Sequence, residues 1–135
     1  VTLVTAGQDG DSPMLIPLLE GLRVGRRTRP AAALGDKAYS SRANRAYLRR
    51  RGIETVIPEP RDQQAHRKRR GSMGGRPPKF DSAKYRGRNV IERGYCRLKQ
   101  WRGLATRYDK LAIVYRAAVV LNGVIAWLNY LTDTP

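Results

Sequence analysis

In the stretch YRGRNVIERGYCRLK, Tyr85 to Lys99, one acid, Glu92, stands among charges that are otherwise basic. Tyr85, Arg88, Glu92 and Lys99 are separated by three, four and seven residues, spacings that bring side chains onto one face of an α-helix. Val90, Ile91, Gly94, Leu98 and Trp101 follow an adjoining apolar stripe. The pattern predicts a helix over 85–102 with Glu92 at the edge of its buried face. A carboxylate placed there can ligate a divalent cation such as magnesium, whose preferred donors are oxygens. It can also close an ordinary i,i+4 pair with Arg88 on a solvated surface. Spacing alone favours the surface pair.

The elements that must position such residues follow an alternating pattern. VTLVTA, Val1 to Ala6, reads as a strand, and the turn residues Gln8 to Ser12 lead into a helix over Pro13–Leu22, capped by Asp11 or Ser12. Leu15, Leu18, Leu19 and Leu22 recur at helical spacing, which makes that face core. Ala31 to Leu34 runs apolar into Gly35-Asp36, a short buried strand that delivers an acid at its C-terminal end. An isolated Asp there is commonly a turn former. Ser40 and Ser41 can cap a helix over Arg42–Arg51 that Gly52 terminates, and Ile53 to Ile57 reads as a strand stopped by Pro58 and Pro60. Strands alternating with helices place the chain in the α/β class.

Arg61 to Lys84 breaks the alternation. It is poor in apolar residues, punctuated by Gly71, Gly74, Gly75, Pro77 and Pro78, and basic at Arg67, Lys68, Arg69, Arg70, Arg76 and Lys79. It reads as a flexible basic loop able to supply phosphate contacts. Leu111 to Leu131 reads as a packed helix with Leu111, Val114, Ala118, Leu121, Ile125 and Leu128 on its inner face. Arg116, Asn122 and Asn129 interrupt it, which argues against a membrane span.

With 135 residues the chain is one domain or part of one. Its 27 Lys and Arg against 11 Asp and Glu leave a formal charge of +16, more than solubility needs, so a polyanion is the expected partner. A single cysteine, Cys96, excludes an internal disulfide, and neither it nor the lone His66 has a clustered partner for zinc. The opening residues do not read as a basic-then-apolar signal peptide, and a cytoplasmic protein is the expectation.

The four residues of the opening stripe fit Y-x2-R-x3-E-x6-K without a gap, a pattern that resembles the signature around the third catalytic acid of DDE transposases of the IS4 and IS5 type. NVIERGYCRLKQWRGLATRYDK, Asn89 to Lys110, is similar to the IS5-family version, and Gly35-Asp36-Lys37-Ala38-Tyr39 resembles that family's second-acid motif. The resemblance implies a ribonuclease H-like α/β fold over 1–135, with 61–84 as a basic insertion loop, 85–102 as the signature helix and 111–131 as a closing helix. It implies that Asp36 and Glu92 are catalytic metal ligands whose carboxylates converge. Two Mg2+ or Mn2+ ions would then assist in-line displacement at phosphorus in the complete domain. Lys37, Tyr39, Arg67, Lys68, Arg69, Arg70, Arg76, Lys79, Tyr85, Arg88 and Lys99 would contact DNA.

The family's first Asp should lie on a strand preceding VTLVTAG, and no residue matches it; Asp9 and Asp11 follow that run instead. The expectation is therefore an N-terminally incomplete catalytic domain, inactive alone, from a bacterial transposase associated with the nucleoid through its DNA. Its partners would be transposon ends and target DNA, with either a homodimer or complementation by an upstream-frame product. The alternative is a non-catalytic basic DNA- or RNA-binding protein of transposase descent.

Overall fold

The computed structural model describes residues 2–6 and 9–132. These divide into two compact units, one formed by Gly10–Arg88 and the other by residues 2–6, Asp9 and residues 89–132.

The first unit is built on a short crossover. A 3-10 turn over Ser12–Met14 leads into α1 (Leu15–Glu20). Then come β1 (Ala32–Leu34), a 3-10 turn over Lys37–Tyr39, α2 (Arg42–Arg50) and β2 (Glu54–Val56). The two strands pair in parallel, Ala32 with Glu54, Ala33 with Thr55 and Leu34 with Val56. Parallel neighbours need a crossover, and α2 supplies it. Ser41 starts α2 by accepting a hydrogen bond on its Oγ from Asn44 N at 3.1 Å. Gly52 ends it with φ +62°, while Gly52 N and Ile53 N return to the carbonyls of Arg49 and Leu48.

One apolar cluster holds this unit together. Tyr47, Leu48, Ile53 and Ile57 are buried, and Leu15, Ile16, Leu19, Ala33 and Tyr39 pack around them. The helical face expected from the leucine spacing thus meets the core at Leu15 and Leu19, while Leu18 is 39% exposed. Asn44 is the buried polar residue of the junction: its Nδ2 donates to Ser12 O and Tyr39 O, each at 3.1 Å, and it is 2% exposed.

The basic segment is not the loop expected from its composition. Arg61–Arg69 forms α3, followed by a 3-10 turn over Gly71–Gly74. Gln63, Gln64, Ala65 and the basic residues are sound helix formers, and Pro60 sits at the N-cap, just outside the first turn. Arg67 then reaches back to Glu59, Nη2 to Oε2 at 2.5 Å, with the two side chains 20% and 15% exposed. Only Gly75–Phe80 is without regular structure, before α4 (Ser82–Arg86), which Asp81 caps.

The signature helix is likewise not continuous. Gly87 closes α4, and α5 (Asn89–Gln100) begins the second unit. That unit continues with α6 (Arg102–Ala105) and α7 (Ala112–Thr132), and Leu104 is its buried anchor, 4% exposed. Tyr115 Oη donates to Leu104 O at 3.4 Å. Residues 2–6 carry no strand assignment, because a strand exists only where a neighbouring segment accepts its backbone hydrogen bonds; Val1 and Gly7 lie outside the described residues.

Two expectations about helix faces also shift. On α5, Val90, Ile91 and Trp101 at its C-terminal border are exposed, and no α5 residue is buried. On α7 the half-buried stripe is Tyr115, Ala118, Val119, Asn122 and Ala126, not the Leu111–Leu128 series, of which only Ala118 belongs to it. A helix apolar on nearly every side does not fix its own face by periodicity. For the same reason the isolated polar residues of α7 do not disqualify it as a span. Over 21 residues, with a mean hydropathy of 1.5 in its most apolar window, it is long and apolar enough to cross a membrane by length and composition. A single helix of this kind is weak ground for a membrane assignment, since core helices meet the same description.

Candidate functional site

Asp36 stands where the sequence places it, immediately beyond β1. Its backbone is extended and its Oδ1 accepts from Ala38 N at 2.8 Å, so it caps the Lys37–Tyr39 turn. The side chain is exposed, as is that of Lys37, while Tyr39 turns inward onto the core cluster. A Cβ at Gly35 would meet the Tyr39 side chain at 3.4 Å and Ile57 at 3.5 Å, ordinary van der Waals contacts.

The Y-R-E-K residues fall on both sides of the α4–α5 break. Tyr85, in α4, is half-buried; its ring lies 5.3 Å from that of Phe80, and the Arg88 guanidinium sits 5.5 Å from its centroid. That contact is a cation–π pair of ordinary geometry. Glu92 lies in the first turn of α5 and Lys99 in its last, both exposed. Glu92 is therefore not at the edge of a buried face in this structure. Its position at the helix N-terminus and that of Lys99 at the C-terminus each match the helix dipole.

Asp36 and Glu92 carry the oxygen donors that a hard divalent cation takes. They belong to different units, and among the described residues no group of three or more His, Cys, Asp or Glu gathers as a metal cluster. The donor chemistry fits; among the described residues the donor number does not amount to a site.

Basic residues form the more developed surface. On α3, Arg67 is bound by Glu59, which holds its guanidinium more firmly protonated, whereas Lys68, Arg69 and Arg70 are exposed at the helix end. His66, Arg69 and Arg70 line a groove of ≈ 380 Å³ that also contains Asp62. A second groove, ≈ 370 Å³, lies between α2, β2 and the segment leading to α4. Arg76 and Lys79, expected on sequence grounds, line it together with Arg45 and Arg49, which were not. Their only sequence signal is the i,i+4 spacing on α2, indistinguishable there from a solvated face.

A parallel strand pair set among helices, with an acid at a strand end, is compatible with an α/β transposase domain. The chain belongs to the transposase DDE domain family, which matches residues 1–127. Over 126 residues it is 30% identical to a Burkholderia cepacia protein named as a candidate transposase for insertion sequence element IS402. That alignment takes in 89% of this chain and 52% of the relative, so the chain spans about half the length of the curated relative it matches. No solved structure matches it. DDE transposases are in general dependent on a divalent metal.

Proposed function

We propose that this chain is the Asp36- and Glu92-bearing half of an IS5-type DDE transposase domain with a ribonuclease H-like fold. In the complete domain it serves metal-dependent DNA cleavage and strand transfer. The observation that carries this is the family match over residues 1–127 together with the Y-R-E-K series that falls inside it. Bound Mg2+ or Mn2+ would activate the attacking oxygen and stabilise the leaving one. Asp36 and Glu92 would converge as two of its ligands, with a third acid supplied by the part of the domain that the relative has beyond the aligned half. Lys68, Arg69 and Arg70 at the end of α3, with Arg76, Lys79, Arg88 and Lys99, would hold the phosphate backbone of the transposon end or target, Arg67 being tied to Glu59. Such a protein works in the cytoplasm, where its DNA is, as a homodimer or completed by an upstream-frame product.

Two carboxylates cannot hold a pair of ions at fixed separation or neutralise them, so the chain alone should be silent. The assay is DNA nicking and strand transfer with Mg2+ or Mn2+, comparing this chain with one extended upstream, each also as Glu92→Ala. Cleavage by the extended chain, abolished by Glu92→Ala, is the expected result. Glu92-dependent cleavage by the unextended chain would overturn the ligand count and direct attention to Asp9 or Asp11. The formal charge of +16 is equally accounted for by a second reading, a non-catalytic nucleic-acid-binding protein of transposase descent in which Asp36 only caps its turn. Under that reading both forms bind DNA and neither cuts it.

A further inference from the structure

We propose that the groove between α2, β2 and the Gly75–Asp81 segment is a phosphodiester site for the backbone of duplex DNA, with Arg45 as its fixed centre and Arg49, Arg76 and Lys79 as its rim. The proposal rests on the reading that the chain acts on DNA and adds to it a site outside the Y-R-E-K series, centred on α2.

Six charged residues line the ≈ 370 Å³ groove: those four cations, Glu54 and Asp81. Glu54 is paired with Lys84, which is not part of the lining, and Asp81 is tied to the start of α4 while also feeling the Lys79 charge. Glu54 Oε2 lies 2.6 Å from Lys84 Nζ, and Asp81 Oδ1 accepts from Ala83 N and Lys84 N, each at 3.0 Å. The groove is left with an excess of positive charge.

Arg45 differs from a solvated surface arginine. Its Nη2 donates to Ser40 Oγ at 2.8 Å and to Ile57 O at 2.9 Å, and its Nε to Ser40 Oγ at 3.2 Å. These acceptors are neutral, so they fix the guanidinium without cancelling its charge, and they leave the Nη1 donors for another acceptor. Burial pushes Arg45 below the usual arginine range, against a smaller opposing effect of Glu59. An anion in the groove would offset that desolvation.

Arg49 lies one helical turn further along the same face of α2. Arg76 and Lys79 flank Pro77-Pro78, whose fixed φ limits the freedom of the segment that carries them. A cavity of this size accommodates a phosphate with its flanking sugars. No aromatic side chain lines it, so it offers no platform for stacking unpaired bases. Backbone contact without base readout is the interaction left, and duplex DNA is the ligand that presents backbone in that way.

The test compares two variants of equal charge change in the full chain. Arg49→Gln/Arg76→Gln/Lys79→Gln removes the rim; Arg26→Gln/Arg27→Gln/Arg50→Gln removes exposed cations outside the groove. Thermal melting of both establishes that they fold. Binding of a random-sequence duplex and of an unpaired oligothymidylate is measured over a salt series, since each neutralised phosphate contributes about 0.9 to the slope of log K against log salt. The rim variant should lower the duplex slope by about 2 to 3, with the control lowering it by less than about 1. Equal losses in the two variants would overturn the proposal, and a loss confined to the unpaired strand would overturn the choice of duplex. Separately, inorganic phosphate is titrated while the Arg45 Nε–H resonance is followed by NMR. A saturable shift in the parent chain, absent from the rim variant, is expected; no saturable shift overturns the site. A saturable phosphate shift in a chain that binds no DNA would leave the oxyanion site standing and sink the DNA reading.

Discussion

Asp81 carries two duties with one carboxylate. It caps α4 through Ala83 N and Lys84 N and lies at the edge of the Arg76–Lys79 groove. The hydrogen bond from Lys84 N, followed by that from Ala83 N and the nearby Lys84 and Lys79 charges, holds its carboxyl below the usual aspartate range. A carboxyl depressed on folding stabilises the protein above its unfolded value, about 3.9, and that contribution fades as pH falls through the lower folded value. Asparagine caps a helix nearly as well but does not titrate. Asp81→Asn should therefore be less stable than the parent near neutrality, with the gap closing on acidification towards about pH 3, measured by denaturant unfolding at each pH. A gap that stays constant would show that the charge has no part in the cap. Asp36 offers the parallel lesson about reading sequence: its place at the end of β1 is legible from the apolar run ending in Gly-Asp, while its cap to Ala38 N is what any strand-end Asp can do, catalytic or not.

Among the elements, α2 is the one most completely specified by local signals. Ser41 opens it, Gly52 closes it, and Tyr47 and Leu48 mark its inner face. Ser41→Ala should cost about 1 kcal/mol, read as a lower urea midpoint with unchanged slope. A changed slope would mean that the folded or unfolded ensemble itself has altered. Composition misleads for α3, because low hydrophobicity argues for a loop while propensity, an N-terminal proline and the Glu59–Arg67 pair argue for a helix. The helix is kept by contacts with residues that precede it, which no window over the segment itself contains. Gly87 stands at the division of the signature helix, but its backbone is right-handed and α5 runs through Gly94 unbroken, so glycine alone does not account for the break. For α7 the spacing gives length and type but misplaces the inner face by about one residue, since leucine, isoleucine and valine occupy almost every side.

At the scale of the whole chain, charge dominates. A formal +16 on 135 residues repels itself in the compact state, so the melting temperature should rise as salt is increased from about 0.01 to 0.15 M, where the screening length falls from about 30 to 8 Å. A melting temperature independent of salt would show that the cations are already compensated locally. The charge suggests a polyanion partner, and it is the motif resemblance, not spacing, that singles out Asp36 and Glu92 as candidate ligands, whereas a groove that joins α2 to the Gly75–Asp81 segment becomes visible only in three dimensions. The Asn44 amide has a consequence for how chains of this kind can vary in length. Because it grips Ser12 and Tyr39 together, the residues between them form a closed excursion, and Arg51 Nη1 and Nη2 reach Tyr47 Oη and Thr28 O to fasten its returning limb. The stretch around Gly25, where Val24 and Arg27 bridge over a positive-φ turn, is free of those anchors. Doubling a loop costs only about 0.6 kcal/mol in closure entropy. Inserted residues there would lengthen a surface bend and leave Asp36 in register with α2, whereas one residue added between Asp36 and Ser41 would displace the acid from the helix that follows it.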